Sequence, residues 1–130
     1  MKKTNPGNIE QEVLEYICEH HAIPVPVLKY RRGMTRCWGR ASWYWSRTRP
    51  DRISLAMDLK DKAEELRLSV LIHEACHIVL RQQHTAEFFK LSDYWHREFG
   101  LHEDRATASR HGRVYAVAAD GREIPLTPLE

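Results

Sequence analysis

One run of the sequence limits the available folds more than any other. From Leu66 to Leu80 the only charged side chains besides the histidines are Arg67 and Glu74. A helix apolar almost all round is a buried one, and polar groups inside it need partners or a purpose. Within the run lies Ile72-His73-Glu74-Ala75-Cys76-His77-Ile78, which has the form H-E-x-x-H. Residues four apart on a helix project from nearly the same face. His73 and His77 are therefore placed to share one metal ion. Glu74 sits about 100° further round the helix, suited to act on a water rather than to ligate. These residue types at this spacing suit a zinc hydrolase with a glutamate general base.

The chain around this run has 130 residues, enough for a single domain with a real core. An apolar content of 42% with 29% charged residues fits a soluble globular protein. No apolar run approaches a membrane span. Lys2 and Lys3 are not followed by an apolar stretch, so a secretory signal is not expected. Cys18, Cys37 and Cys76 are widely spaced and form no CxxC pair, which argues against a disulfide framework or a zinc ribbon. A reducing cytoplasm is the expected setting.

Taken in order, residues 1–8 are polar and expected to fray. Asn8 is the expected cap of a helix from Ile9 to about His21, with Glu10 and Glu12 in its first turn. Pro24 and Pro26 end it. Val25–Tyr30 reads as a strand that Pro26 confines to an edge or a strand start, and Gly33 marks a turn. Arg36–Trp45 alternates, with Cys37, Gly39, Ala41, Trp43 and Trp45 on one face and Trp38, Arg40, Ser42 and Tyr44 on the other. After the Pro50-Asp51 turn, Ile53, Leu55 and Met57 alternate as another short strand. Asp58 or Asp61 is the expected cap of the central helix, which runs to about Gln82 or Gln83.

Beyond that helix, Thr85 is placed to cap a further one with an apolar stripe of Phe88, Leu91, Trp95 and Phe99, closed by Gly100. Asp120-Gly121 predicts the turn of a terminal hairpin over residues 112–126. The expected architecture is α+β: a small mixed or antiparallel sheet on a central H-E-x-x-H helix, with an N-terminal helix and a following helix.

Two histidines need a third ligand. If the helix simply continued, His84 would lie about 10 Å beyond His77, too far to share a metal with bonds of about 2 Å. A ligand role for His84 therefore requires the chain to turn back after Arg81–Gln83. A carboxylate is the alternative, with Glu87 and Glu98 as candidates and Glu103 behind them. His96, His102 and His111 read as surface histidines; one of them, or Tyr94, is a candidate oxyanion or outer-shell group. Cys76 reads as a small buried hydrophobe.

Between about Arg47 and Phe99 the chain resembles the SprT-like family of zinc metallopeptidases, which includes the Spartan proteases. The resemblance rests on the strand Arg52-Ile-Ser-Leu-Ala-Met, then Leu71-Ile-His-Glu-Ala-Cys-His, then His84-Thr-Ala-Glu-Phe-Phe-Lys-Leu. It implies a zincin-like fold, Zn²⁺ held by His73, His77 and His84, Glu74 as the catalytic base, and hydrolysis of peptide bonds in DNA-associated proteins. Thr85 stands where the family has glycine. The second and third histidines lie closer together than in many members, and no cysteine follows Cys76 for a zinc ribbon.

The charge pattern bears on partners. From His20 to Pro50 there is no acidic residue, while Lys29, Arg31, Arg32, Arg36, Arg40, Arg47 and Arg49 all fall there. The stretch Lys29–Arg52 offers arginines for phosphates and aromatic rings for unpaired bases, as a DNA-binding surface in a cytoplasmic or nucleoid setting requires. The plainer reading is a sheet with a solvated arginine face. Two other functional classes follow: a DNA-binding module on a zinc-stabilised scaffold without proteolysis, and a regulatory repressor-cleaving zinc protease with a glutamate third ligand.

Overall fold

The structure, a computed structural model, describes residues 9–34, 37–45, 48–101, 115–117 and 123–125. These residues form an α+β arrangement of three α-helices, a three-stranded mixed sheet and a separate two-stranded pair. Helix α1 spans Ile9–His20 and buries Val13, Leu14, Ile17 and Cys18, whereas Tyr16, which helical spacing places on the same apolar stripe, is 57% exposed. Asn8 lies outside the described residues.

Strands β1 (Val27–Arg31), β2 (Gly39–Ser42) and β3 (Arg52–Ala56) form a sheet in the order β1-β3-β2. β1 runs parallel to β3 and β2 antiparallel to it. Strand β1 begins just after Pro26 and lies at an edge, where a residue without an N–H donor does no harm. Strand β3 is central. Its residues Ile53 to Ala56 are all buried, so the alternation expected there reflects small residues, Ser54 and Ala56, on the outer face. β2 is shorter than the alternation over Arg36–Trp45 predicts: its ladder runs against Leu55 back to Arg52, with the Ala56 N–H bonding the Trp38 carbonyl at 2.8 Å just ahead of it.

The register sorts the cations. Lys29 and Arg40 both stand opposite Ser54, Arg31 opposite Ala56, and Arg52 opposite Val27 and Ser42. Ile53 and Leu55 face the core, so by strand alternation these four cations share the other face of the sheet.

After β3 the chain makes a 3₁₀ turn, Met57–Asp61, anchored by buried Leu59. The expected capping by Asp58 or Asp61 does not occur. Helix α2 starts later, at Glu64, with Ala63 at its N-cap and no side-chain cap bond. Glu64 and Glu65 supply the negative charge that the first turn favours. Helix α2 runs to Leu80 and is buried from Leu68 to Ile78. It packs on α1, α3, β2 and β3 and is thus the middle of the core. A part-buried ion pair links α1 and α2: Arg67 Nε donates to the buried Glu10 Oε1 at 2.6 Å.

Helix α3 spans Ala86–Glu98. The Thr85 side chain accepts from the Phe88 N–H at 3.1 Å, the cap that the sequence predicts. Phe88 and Trp95 are fully buried, and Gly100 follows with φ 73°. Strands β4 (Tyr115–Val117) and β5 (Glu123–Pro125) pair antiparallel; the turn residues Asp120 and Gly121 lie outside the described residues. Among the described residues no helix is long and apolar enough to cross a membrane.

Candidate metal centre

The site is assembled at the C-terminal end of α2. Leu80 ends the helix and Arg81 adopts a left-handed conformation, φ 53° and ψ 44°, which glycine usually supplies. Its N–H still bonds the His77 carbonyl at 2.8 Å. The chain then reverses through Gln82 and Gln83, and His84 returns to the helix. The turn back that a ligand role for His84 demands is present.

Three imidazoles meet as a result. His73 Nε2 lies 3.0 Å from His84 Nε2 and 3.2 Å from His77 Nε2, and His77 Nε2 lies 3.2 Å from His84 Nε2. A tetrahedral ion with bonds of about 2.0–2.1 Å holds its nitrogens about 3.3 Å apart. The observed triangle fits that requirement closely. His77 Nδ1 lies 2.6 Å from the Gln82 carbonyl oxygen. A carbonyl only accepts, so Nδ1 carries the proton, and in the neutral ring Nε2 presents a lone pair. Such an outer contact orients a metal-binding histidine and fixes its tautomer. His73, His77 and His84 are the one group of three metal-capable side chains found among the described residues.

Aromatic rings surround the cluster. The Phe88 ring lies nearly parallel to His77 at 4.3 Å and edge-on to His73 at 4.9 Å. Trp43, just beyond β2, is nearly parallel to His77 at 6.1 Å. Phe89 stacks on His84 at 5.8 Å. His73, Glu74 and His77 are buried, whereas His84 is on the exposed side. Gln82 is held by its own side chain, which accepts from Thr85 Oγ1 at 2.7 Å and donates to Glu87 Oε1 at 3.0 Å. Glu87 is thereby engaged with Gln82, and neither it nor Glu98 belongs to the histidine group. Glu103 lies outside the described residues.

Glu74 faces the sheet. A Cβ built on Gly39 would come within 2.9 Å of Glu74 Cγ, 3.1 Å of Glu74 Oε2 and 2.8 Å of Val70 Cγ1. Strand β2 approaches α2 this closely only because Gly39 has no side chain. A glycine inside a strand is a signal of such an approach, and Gly39 acquires a role from it that alternation alone does not suggest.

A second device holds the helix end. Asp51 accepts from Arg81 Nη2 at 2.9 Å, from Arg81 Nη1 at 3.2 Å and from the Tyr44 N–H at 3.1 Å. This ties the start of β3 to the residue at which α2 reverses.

Three sequence expectations are corrected nearby. His96 is 1% exposed rather than on the surface. Its Nδ1–H is donated to the Ser92 carbonyl at 2.7 Å, and its Nε2 accepts from Ser69 Oγ at 2.9 Å, so it joins α3 to α2. Trp45 does not follow the inward face of Gly39 and Trp43 but is 82% exposed, because the ladder ends at Ser42. The strand expected to reach Met57 ends at Ala56, before the 3₁₀ turn that begins at Met57, and it is paired on both sides. Tyr94 has His20 and Trp95 as ring neighbours. His102 and His111 lie outside the described residues. Cys76 is fully buried, as expected.

The fold and site together define a small α+β domain with a three-histidine cluster of metal-binding geometry. Comparison with protein-family models, with curated proteins and with solved structures returns no match for this chain.

Proposed function

We propose that this chain is a zinc-dependent metalloendopeptidase with a zincin-like, SprT-like fold. The observation that carries the reading is the triangle of three Nε2 atoms at 3.0–3.2 Å, built on the helix that also carries the buried Glu74. When bound, Zn²⁺ supplies a Lewis acid that polarises a carbonyl and lowers the pKa of a water toward 7. His73, His77 and His84 would hold it through Nε2. The Gln82 carbonyl keeps His77 in the required tautomer. Glu74 takes a proton from the attacking water and passes it to the leaving amine. The edge of β2 that has no strand partner among the described residues pairs with the backbone of an extended substrate. The free thiols Cys18, Cys37 and Cys76 suit a cytoplasmic setting.

A DNA-associated role is supported by a separate observation. Lys29, Arg31, Arg40 and Arg52 share the outer face of the sheet, and no described acidic residue forms an ion pair with them. Such a face neutralises phosphates. Substrates bound to DNA would be held near the site by it.

The test is direct. Metal-loaded protein is expected to carry about one zinc per chain, as one closed set of three ligands implies, and to cleave unfolded protein. Glu74→Gln is expected to keep the metal and lose cleavage by about 10²-fold or more, the usual contribution of a general base. Folded protein that takes up no zinc, or a Glu74→Gln variant as active as the parent, contradicts the reading. A cleavage assay with and without DNA tests the second part.

A further inference from the structure

A cleft of about 500 Å³ opens one helical turn beyond His77, lined chiefly by Pro24, Tyr44, Trp45, Arg49, Asp51 and Arg81. Its charges are unequally engaged. The Asp51 carboxylate is taken up by the Arg81 guanidinium and the Tyr44 N–H. Arg49 has no such carboxylate among the described residues. Its guanidinium lies over the Tyr44 ring at 3.8 Å. Stacking fixes the guanidinium plane and leaves its edge donors available to a carboxylate. The exposed Trp45 ring, with the Arg81 guanidinium 5.2 Å from its centre, forms another wall.

The cleft also lies along the path of the site. The β2 segment meets Glu74 at Gly39 and His77 at Trp43, then continues into Tyr44 and Trp45. A peptide on this outer edge of β2 advances about 3.3 Å per residue. It therefore reaches the cleft a few residues from the bond under attack.

We propose that this cleft is a substrate subsite that accepts an acidic side chain, Asp or Glu, of an extended peptide, with Arg49 as its binding residue. The proposal rests on the peptidase reading and adds a substrate class to it. Charge favours a peptide carboxylate over nucleic acid here. Among the described residues, one available guanidinium beside the Asp51 carboxylate matches a single negative charge. Binding of a polyanion gains from many phosphates neutralised together, and the cations for that lie on the outer face of the sheet.

The experiment uses zinc-loaded Glu74→Gln protein, which binds without cleaving. Fluorescence anisotropy compares labelled peptides that differ only in carrying Glu, Gln or Lys at each successive position. At one position the Glu peptide is expected to bind about tenfold tighter than its Gln twin, the range for a hydrogen bond to a charged group. Adding Arg49→Ala should abolish that preference and Arg49→Glu should turn it toward Lys, with circular dichroism unchanged. Equal affinities for Glu and Gln peptides, no measurable peptide binding, or a preference that survives Arg49→Ala overturns the proposal. So does an oligonucleotide that binds this cleft in an Arg49-dependent way while the peptides show no Glu preference. The parent protein is then tested for cleavage of the same peptides. Glu-selective binding without cleavage defeats the peptidase reading and leaves the acidic subsite standing. Cleavage without Glu selectivity does the reverse.

Discussion

His77 donates its Nδ1–H to the main-chain carbonyl of Gln82, five residues on, at 2.6 Å. The bond spans the point at which α2 stops and the chain reverses. It links the rotation of one imidazole to the path that returns His84. The candidate centre is therefore a product of how the helix ends as much as of the H-E-x-x-H spacing.

His84 is expected to matter for metal binding and Glu87 not. Replacing His84 with Ala should reduce zinc affinity by more than about a hundredfold, beyond the effect of losing an outer-shell partner. Glu87→Ala removes only the acceptor of the Gln82 amide and should stay within about tenfold. Competition with a chromophoric chelator measures both.

Gly39→Ala is expected to disturb Glu74 without removing metal. The added methyl would meet Val70 Cγ1 at 2.8 Å and Glu74 Cγ at 2.9 Å. Overpacking of this kind costs about 1–3 kcal/mol. Zinc content should remain that of the parent while kcat falls. A variant with unchanged stability and kcat would show that β2 can back away from α2 without consequence.

The Asp51–Arg81 pair is expected to act on the metal site from outside it. Asp51→Ala and Arg81→Ala should each lower zinc affinity by about tenfold, as loss of an orienting contact does. The double variant should lose little more than either single one, because both remove the same interaction. Additive losses would mean that the two residues act separately.

Acid should loosen the contact between the end of α1 and α3. Trp95 donates its Nε1–H to His21 Nε2 at 3.1 Å, which requires that nitrogen to be unprotonated. Burial, with a smaller contribution from His20, lowers the His21 pKa below its usual 6.5. A lowered histidine pKa means that the unfolded state binds more protons, so stability rises with pH in this window. The contribution is intact above pH 6.5 and is lost as pH falls toward and through the lowered value. Thermal melts of zinc-loaded parent and His21→Gln should diverge most at neutral pH and converge in acid.

Much of the site was legible in local chemistry. H-E-x-x-H on an apolar run places His73, Glu74 and His77 on a buried helix, because helical spacing alone sets their relation. Thr85 announces a new helix, because a capping hydroxyl acts within one turn. Cys76 reads as core from its position on the same wheel. Other features depend on what packs alongside. The burial of His96 follows from Ser69, twenty-seven positions earlier, and no local pattern reports such a partner. The exposure of Trp45 follows from where β3 runs out of pairing partners.

Local patterns along the chain were enough for three helices in order, the inward histidine pair and the need for a reversal before His84, but not for where the central helix begins. These rest on periodicity and capping, which act over a few residues. That the reversal falls at Arg81, that Asp51 holds it, that β2 and not β3 is the edge beside Glu74, and that Gly39 admits it, all came from packing. Those are contacts between segments far apart in the chain. Their energies belong to pairs such as Arg81 and Asp51, and neither member carries them alone.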